Sequence, residues 1–211
     1  IDSNKIYFDG KVTDLDLPLK KESKPLKTLD LIGTYIDSEV NIKSKNNDLI
    51  LTLKKDNLNL ELNSYDILYS TLDDKDSSFK NISIKAKDSN IIVNDKFKFI
   101  SNKFELKIRE DSKYLHLNHK KTDITYKESA DKKIDIFSSD ISDEFINSIF
   151  NKEILKGGKI LLLAKGNIND LNGSLIIENV KVEDLAILNN LLLFIHSSPA
   201  IINPLLAIPS L

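Results

Sequence analysis

From residue 6 to residue 137 apolar and polar side chains alternate in short runs, the period of two that sends successive side chains to opposite faces of a strand. Leu49, Leu51 and Leu53 form one run, Leu58, Leu60 and Leu62 a second, Ile82, Ile84 and Ala86 a third, and Phe104, Leu106 and Ile108 a fourth. Between them stand Asn, Ser, Thr, Lys or Glu, with Ile50 the one exception. Turn-forming clusters separate the runs: Lys45-Asn46-Asn47-Asp48, Lys55-Asp56-Asn57, the Asp- and Ser-rich stretch 73–78, Asp88-Ser89-Asn90 and Asp111-Ser112. Further strands are expected over 5–12, 28–36, 39–44, 65–71, 91–94, 96–100, 113–119, 122–127 and 132–137. That makes roughly a dozen strands before any helix. Short polar turns favour sequential antiparallel pairing, and no amphipathic helix long enough for a parallel crossover intervenes. An α/β nucleotide-binding fold is therefore not expected.

The last third changes character. Ile141, Phe145, Ile146, Ile149 and Phe150 share one side of a helix expected over 140–151, with Asp140 or Ser142 as its cap. Strands resume at 159–164, 166–171 contains a turn, and 173–183 sets Leu175 and Ile177 opposite Ser174, Ile176 and Glu178. From Leu185 onward no Asp, Glu, Lys or Arg occurs, and Asp184 is placed to cap an apolar helix over 185–196. A tail punctuated by Pro199, Pro204 and Pro209 follows. The expected organisation is one unit: an antiparallel meander over 1–138, a helical insertion over 139–156, and strands, apolar helix and Pro-containing tail over 157–211.

Composition narrows the chemistry. The 211 residues are 41% hydrophobic and 29% charged, enough for one substantial soluble domain. Lys and Arg number 30 against 32 Asp and Glu, so the basic footprint of a nucleic-acid binder is missing and nucleic acid is not an expected partner. Without Cys, disulfides, thiolate metal sites and Cys nucleophiles are excluded, while the compartment stays open. The chain has no Met and begins at Ile1, which reads as a piece of something longer, with any leader or membrane anchor outside it. Abundant Lys, Asn and Ile beside a single arginine, Arg109, fit an AT-rich bacterial genome.

Candidate catalytic groups are sparse. His116 and His119 form the only local pair able to ligate a metal, but residues three apart on a strand diverge, and neither a Cys nor a close third acid completes a set. Asp73-Asp74-Lys75-Asp76 lacks the glycine and distal Glu of a calcium loop. Gly157-Gly158 precedes a strand and reads as a turn, not a phosphate cradle. No Gly-x-Ser-x-Gly is present. No enzyme is expected, and neither a cofactor nor a metal.

A sheet with one apolar face must cover it. Folding half onto half gives a packed sandwich, whereas an open sheet that curls without closing lines a groove suited to acyl chains. Alternation alone fits both. The stretch Lys159-Ile160-Leu161-Leu162-Leu163-Ala164-Lys165-Gly166, the strand from Gly173 to Asp184 and the following Leu185-Ala186-Ile187-Leu188-Asn189-Asn190-Leu191-Leu192 resemble the AsmA-like superfamily. Its large TamB- and YhdP-type members end a β-groove segment with such a strand, a short connector and an apolar helix. The resemblance covers the last part of the chain as a motif and the rest as a pattern of short alternating strands; the Pro-punctuated tail departs from it.

What the resemblance implies is a mainly β fold: a long, curled antiparallel sheet forming an open, taco-like groove, with a short helix and an apolar C-terminal helix. It further implies a periplasmic segment of an inner-membrane-anchored envelope protein of a Gram-negative bacterium, serving phospholipid transport and outer-membrane biogenesis. Phospholipid acyl chains are the implied partner, through the groove-lining set Leu49, Leu51, Leu53, Leu58, Leu60, Leu62, Ile82, Ile84, Phe104, Leu106, Ile108, Leu175 and Ile177. No catalytic residue carries over. Each shielded methylene is worth about 0.8 kcal/mol. The alternatives are a compact β-sandwich that consumes its own apolar face, and a scaffold for outer-membrane protein assembly working by strand addition. The stretch 185–211 is long enough to span a bilayer, but Asn189, Asn190, His196, Asn203 and three prolines argue against it. A helix with Leu188, Leu191, Leu192 and Ile195 turned toward the sheet is expected instead, an interfacial membrane contact being the alternative.

Overall fold

A computed structural model describes residues 5–69, 79–167 and 170–183. The strands are β1 (Ile6–Val12), β2 (Leu19–Lys21), β3 (Lys24–Pro25), β4 (Leu29–Ile36), β5 (Glu39–Ser44), β6 (Leu49–Lys54), β7 (Asn57–Asn63), β8 (Asp66–Tyr69), β9 (Asn81–Lys87) and β10 (Asn90–Val93). They continue with β11 (Phe97–Phe99), β12 (Lys103–Ile108), β13 (Lys113–His119), β14 (Thr122–Glu128) and β15 (Ile134–Ile141). After the helix α1 (Asp143–Phe150) come β16 (Leu155–Lys156), β17 (Lys159–Asn167), β18 (Asp170–Glu178) and β19 (Lys181–Val182). The fold is mainly β, as the alternation implies.

Twelve strands make one open sheet in the order β1-β4-β5-β6-β7-β9-β12-β13-β14-β15-β17-β18. Its register is continuous apart from a shift between Ser138 and Ile141 where β15 pairs with β17. Phe8, Gly33, Ile42, Leu51, Leu60 and Ile84 pair in succession across the first six strands, and Leu106, Leu115, Tyr126, Ile136, Ala164 and Gly173 carry the same row across the other six. Every residue in that row is apolar or glycine, so along it one face of the sheet, here the inner face, is apolar from edge to edge.

The expected all-antiparallel meander needs correction. β7 and β9 pair in parallel, as do β8 and β10. The cause is a shared corner. Asn57 pairs with Asn81 and Asp66 with Asn90, so a single offset of 24 positions runs through both pairs. β7-β8 and β9-β10 are thus two long strands lying side by side that bend together out of the main sheet. Ser64 and Asp88 take left-handed backbone conformations at the bend (φ 63° and 46°), and the Ser64 amide donates to the Lys87 carbonyl at 2.9 Å. Buried Ser89 accepts from the Tyr65 amide at 3.1 Å and donates to the Lys87 carbonyl at 2.8 Å, which replaces the ladder bonds lost at the corner.

Beyond the corner a second sheet, in the order β11-β10-β8-β2-β3, lies over the inner face. Leu19, Ile91 and Val93 are buried there with Leu58, Ile84, Phe104 and Leu106 of the main sheet in one core. Helix α1 extends this cover: Phe145, Ile146 and Ile149 are buried, and Phe150 meets Phe97 edge to face with ring centroids 6.0 Å apart. Of the two expected caps Ser142 is used, its hydroxyl accepting from the Phe145 amide at 3.2 Å. Ile141 falls in β15 and not on the helix. Asn151 closes the helix in a left-handed conformation, while Gly157 and Gly158, at φ 68° and 72°, make the expected turn. No helix among the described residues is long and apolar enough to cross a membrane. The apolar helix expected over 185–196 and the tail after it lie outside the described residues.

Candidate apolar binding surface

The thirteen residues expected to line a groove all occupy the inner face, since each falls on the same register parity. They are not equally accessible. Leu49, Leu58, Leu62, Ile82, Ile84, Phe104 and Leu106 are buried beneath the second sheet and helix. Leu51, Leu53, Leu60, Ile108 and Leu175 are half-buried at the margins of that core, and Ile177 is exposed on the last strand. The chain's own second layer occupies the central part of what the alternation alone left open as a groove.

A polar clamp fastens that layer down. Asp48, buried in the turn before β6, accepts from Ser44 at 2.7 Å, from the Tyr65 hydroxyl at 2.9 Å and from Asn46 at 2.6 Å, and it pairs with Lys21 of β2. The Lys21 ammonium also sits 5.2 Å from the centre of the Tyr65 ring. Burial alone would raise the Asp48 pKa, but the bonds from Lys21, Ser44 and Tyr65 outweigh it and hold the carboxyl below its ordinary value. Burial and the Asp48 charge together push the Tyr65 phenol up. The Asp48 carboxylate and the Ser44 and Tyr65 hydroxyls all have partners, as buried polar groups require, and together they tie β2 and Tyr65 to the turn before β6. Sequence reasoning saw here only a turn, Lys45-Asn46-Asn47-Asp48.

The opposite, outer face carries a second apolar surface, absent from the sequence-based site. An open trough of about 610 Å³ crosses β1, β4, β5 and β6, and Tyr7, Ile32 and Ile50 give it a mainly apolar lining. Asp9, Asn41 and Lys43 stand beside them. The volume lies in the range of small-ligand sites. One signal was visible: Ile50 is the apolar residue that breaks the alternation between Leu49 and Leu51.

His116 and His119 point to opposite faces, as their spacing requires. His116 Nε2 lies 2.8 Å from Asp123 on the outer face, whereas His119 sits 3.8 Å from Glu144 at the start of α1, with neither ring nitrogen hydrogen-bonded. Among the described residues no group of three His, Asp or Glu is placed to hold a metal ion. The chain matches no protein-family model, no curated protein and no solved structure.

Proposed function

We propose that this chain is a lipid-binding β-module that shields phospholipid acyl chains, a segment of a conduit between the inner and outer membranes, and that it binds them at the open end of its large sheet. The observation that carries the reading is the trough on β1, β4, β5 and β6, apolar along Tyr7, Ile32 and Ile50. The sequence resemblance to AsmA-like proteins supports the same ligand class. Burying an acyl chain there gains about 0.8 kcal/mol per methylene, while a charged head group stays in water beside Lys43. The covered centre of the inner face takes no part.

Site-specific photo-crosslinking in a bacterial envelope tests this, with probes at Ile32 and Ile50, a core control at Leu106 and same-face controls at Lys54 and Lys107. Phospholipid adducts at Ile32 and Ile50 alone are expected. Lipid yield there no greater than at Lys54 and Lys107 overturns the proposal. One observation favours a second reading, a compact interaction module: Leu106, Ile84 and Phe104 are buried by the chain's own second layer, so the fold needs no ligand to close its core. Crosslinks exclusively to protein at all positions support that reading.

A further inference from the structure

The large hydrophobic side chains that stand exposed among the described residues all lie on β1, β4, β15, β17 or β18, the two ends of the twelve-stranded sheet. Ile6, Phe8 and Val12 mark one edge, Ile176 and Ile177 the other. Among the described residues β1 and β18 each pair on one side only. Soluble sheets usually blunt such edges with proline, internal charge or a cover. β18 is nine residues long, lacks proline, and carries charge only at its ends, Asp170 and Glu178.

The two edges fit each other. Ten of the eleven steps across the sheet are antiparallel and one, β7 to β9, is parallel, so β18 runs in the same direction as β1. A second copy translated along the sheet would set its β1 parallel to β18 with the inner faces continuous. The row from Phe8 to Gly173 fixes the unstaggered register, in which the copy's Phe8 meets Gly173, its Val12 meets Ile177 and its Lys5 meets Asp170. Phe8 already rests its ring on a glycine within its own chain, filling the space a Cβ on Gly33 would occupy. At Gly173 the corresponding space is taken by the Leu163 carbonyl and Ala164 of β17, so the match between the edges rests on strand direction and on Lys5 meeting Asp170. Self-paired edges fit worse: full antiparallel overlap of β18 on β18 sets Asp170 opposite Glu178, and of β1 on β1 sets Asp9 opposite Asp9.

We propose that β18 of one copy pairs in parallel with β1 of a second copy of this chain, a head-to-tail contact that prolongs the sheet and can repeat. This contact does not depend on acyl binding. Because the chain has no cysteine, introduced ones report without background. Val12→Cys and Ile177→Cys proteins, mixed under mild oxidation, are expected to form a disulfide heterodimer about ten-fold above the dimer either forms alone, since facing residues on neighbouring strands fall within disulfide reach. Heterodimer at the level of the single proteins, or a homodimer from either one, overturns the proposal. The unsubstituted chain gives a second readout: after carbodiimide treatment of mixed light- and heavy-nitrogen copies, a Lys5–Asp170 crosslink of mixed isotope content is expected. An unmixed crosslink, or none, overturns it.

Discussion

The centre of the large sheet and its N-terminal end are built from one alternating pattern and differ in what lies over them. Leu106 and Phe8 belong to the same inner-face row, yet Leu106 is 0% exposed and Phe8 39%. The difference comes from the shared corner at Ser64 and Asp88, which folds β8 and β10 over the middle strands and leaves the first ones bare. Whether an apolar face becomes core or surface is decided here by where two strands bend, not by the residues on the face.

That contrast can be broken most forcefully at its centre. Leu106→Ala removes buried methyl groups and leaves a cavity under the second layer, and is expected to cost about 2–5 kcal/mol in a urea titration. Asp48→Ala comes next: it strands Lys21, Tyr65 and Ser44 in the clamp and is expected to cost about 2–3 kcal/mol, with the loss centred on the second sheet in hydrogen exchange.

The same carboxyl predicts a pH dependence. Because its folded pKa is lowered, its contribution is complete above the carboxylate range of the unfolded chain and drains away as pH falls through the folded value. Stability measured against pH from neutral to acid should therefore fall less steeply in Asp48→Asn than in the parent; an unchanged slope would remove the clamp from the account. Ser142→Ala, which deletes the cap of α1, is expected to cost about 1 kcal/mol by thermal melting. The smallest effect belongs to the bare end, where Phe8→Ser should change stability by less than about 0.5 kcal/mol. A large loss at Phe8 would mean that this end is covered after all.

Strands were legible because a period of two is local: Glu39–Ser44 and Lys113–His119 match their expected bounds, and the thirteen apolar positions do share one face. Layer assignment was not legible. Ile91-Ile92-Val93 is a continuous apolar run and Ile82-Ser83-Ile84 an alternating one, yet neither pattern tells a strand which sheet it joins. A fainter signal was missed, the likeness between residues 57–69 and 81–93 at the 24-position offset, which would have suggested parallel partners turning together. β2 and β3 were not among the expected strands: they are three and two residues long, mostly charged, and Pro25 falls within β3. The trough depends on Ile32 and Ile50 coming together from β4 and β6, two strands apart in the sheet, which no single run reveals.

The corner also bears on the order of folding. From β4 to β7 and from β12 to β15 each strand pairs with its immediate neighbour in sequence, and β17 pairs with β18 in the same way, so those ladders close short loops. β2, by contrast, must wait for β8, with Leu19 meeting Ile67 across most of the N-terminal half of the chain. Closing the longer loop costs more entropy before any contact offsets it. Amides of β4 to β7 and of β12 to β15 should accordingly gain protection first in pulse-labelled refolding, with those of β2 and β8 gaining it last. The apolar inner face is then bare during an early stage, and the speed with which the corner swings its cover into place sets how long the unfinished chain is open to aggregation.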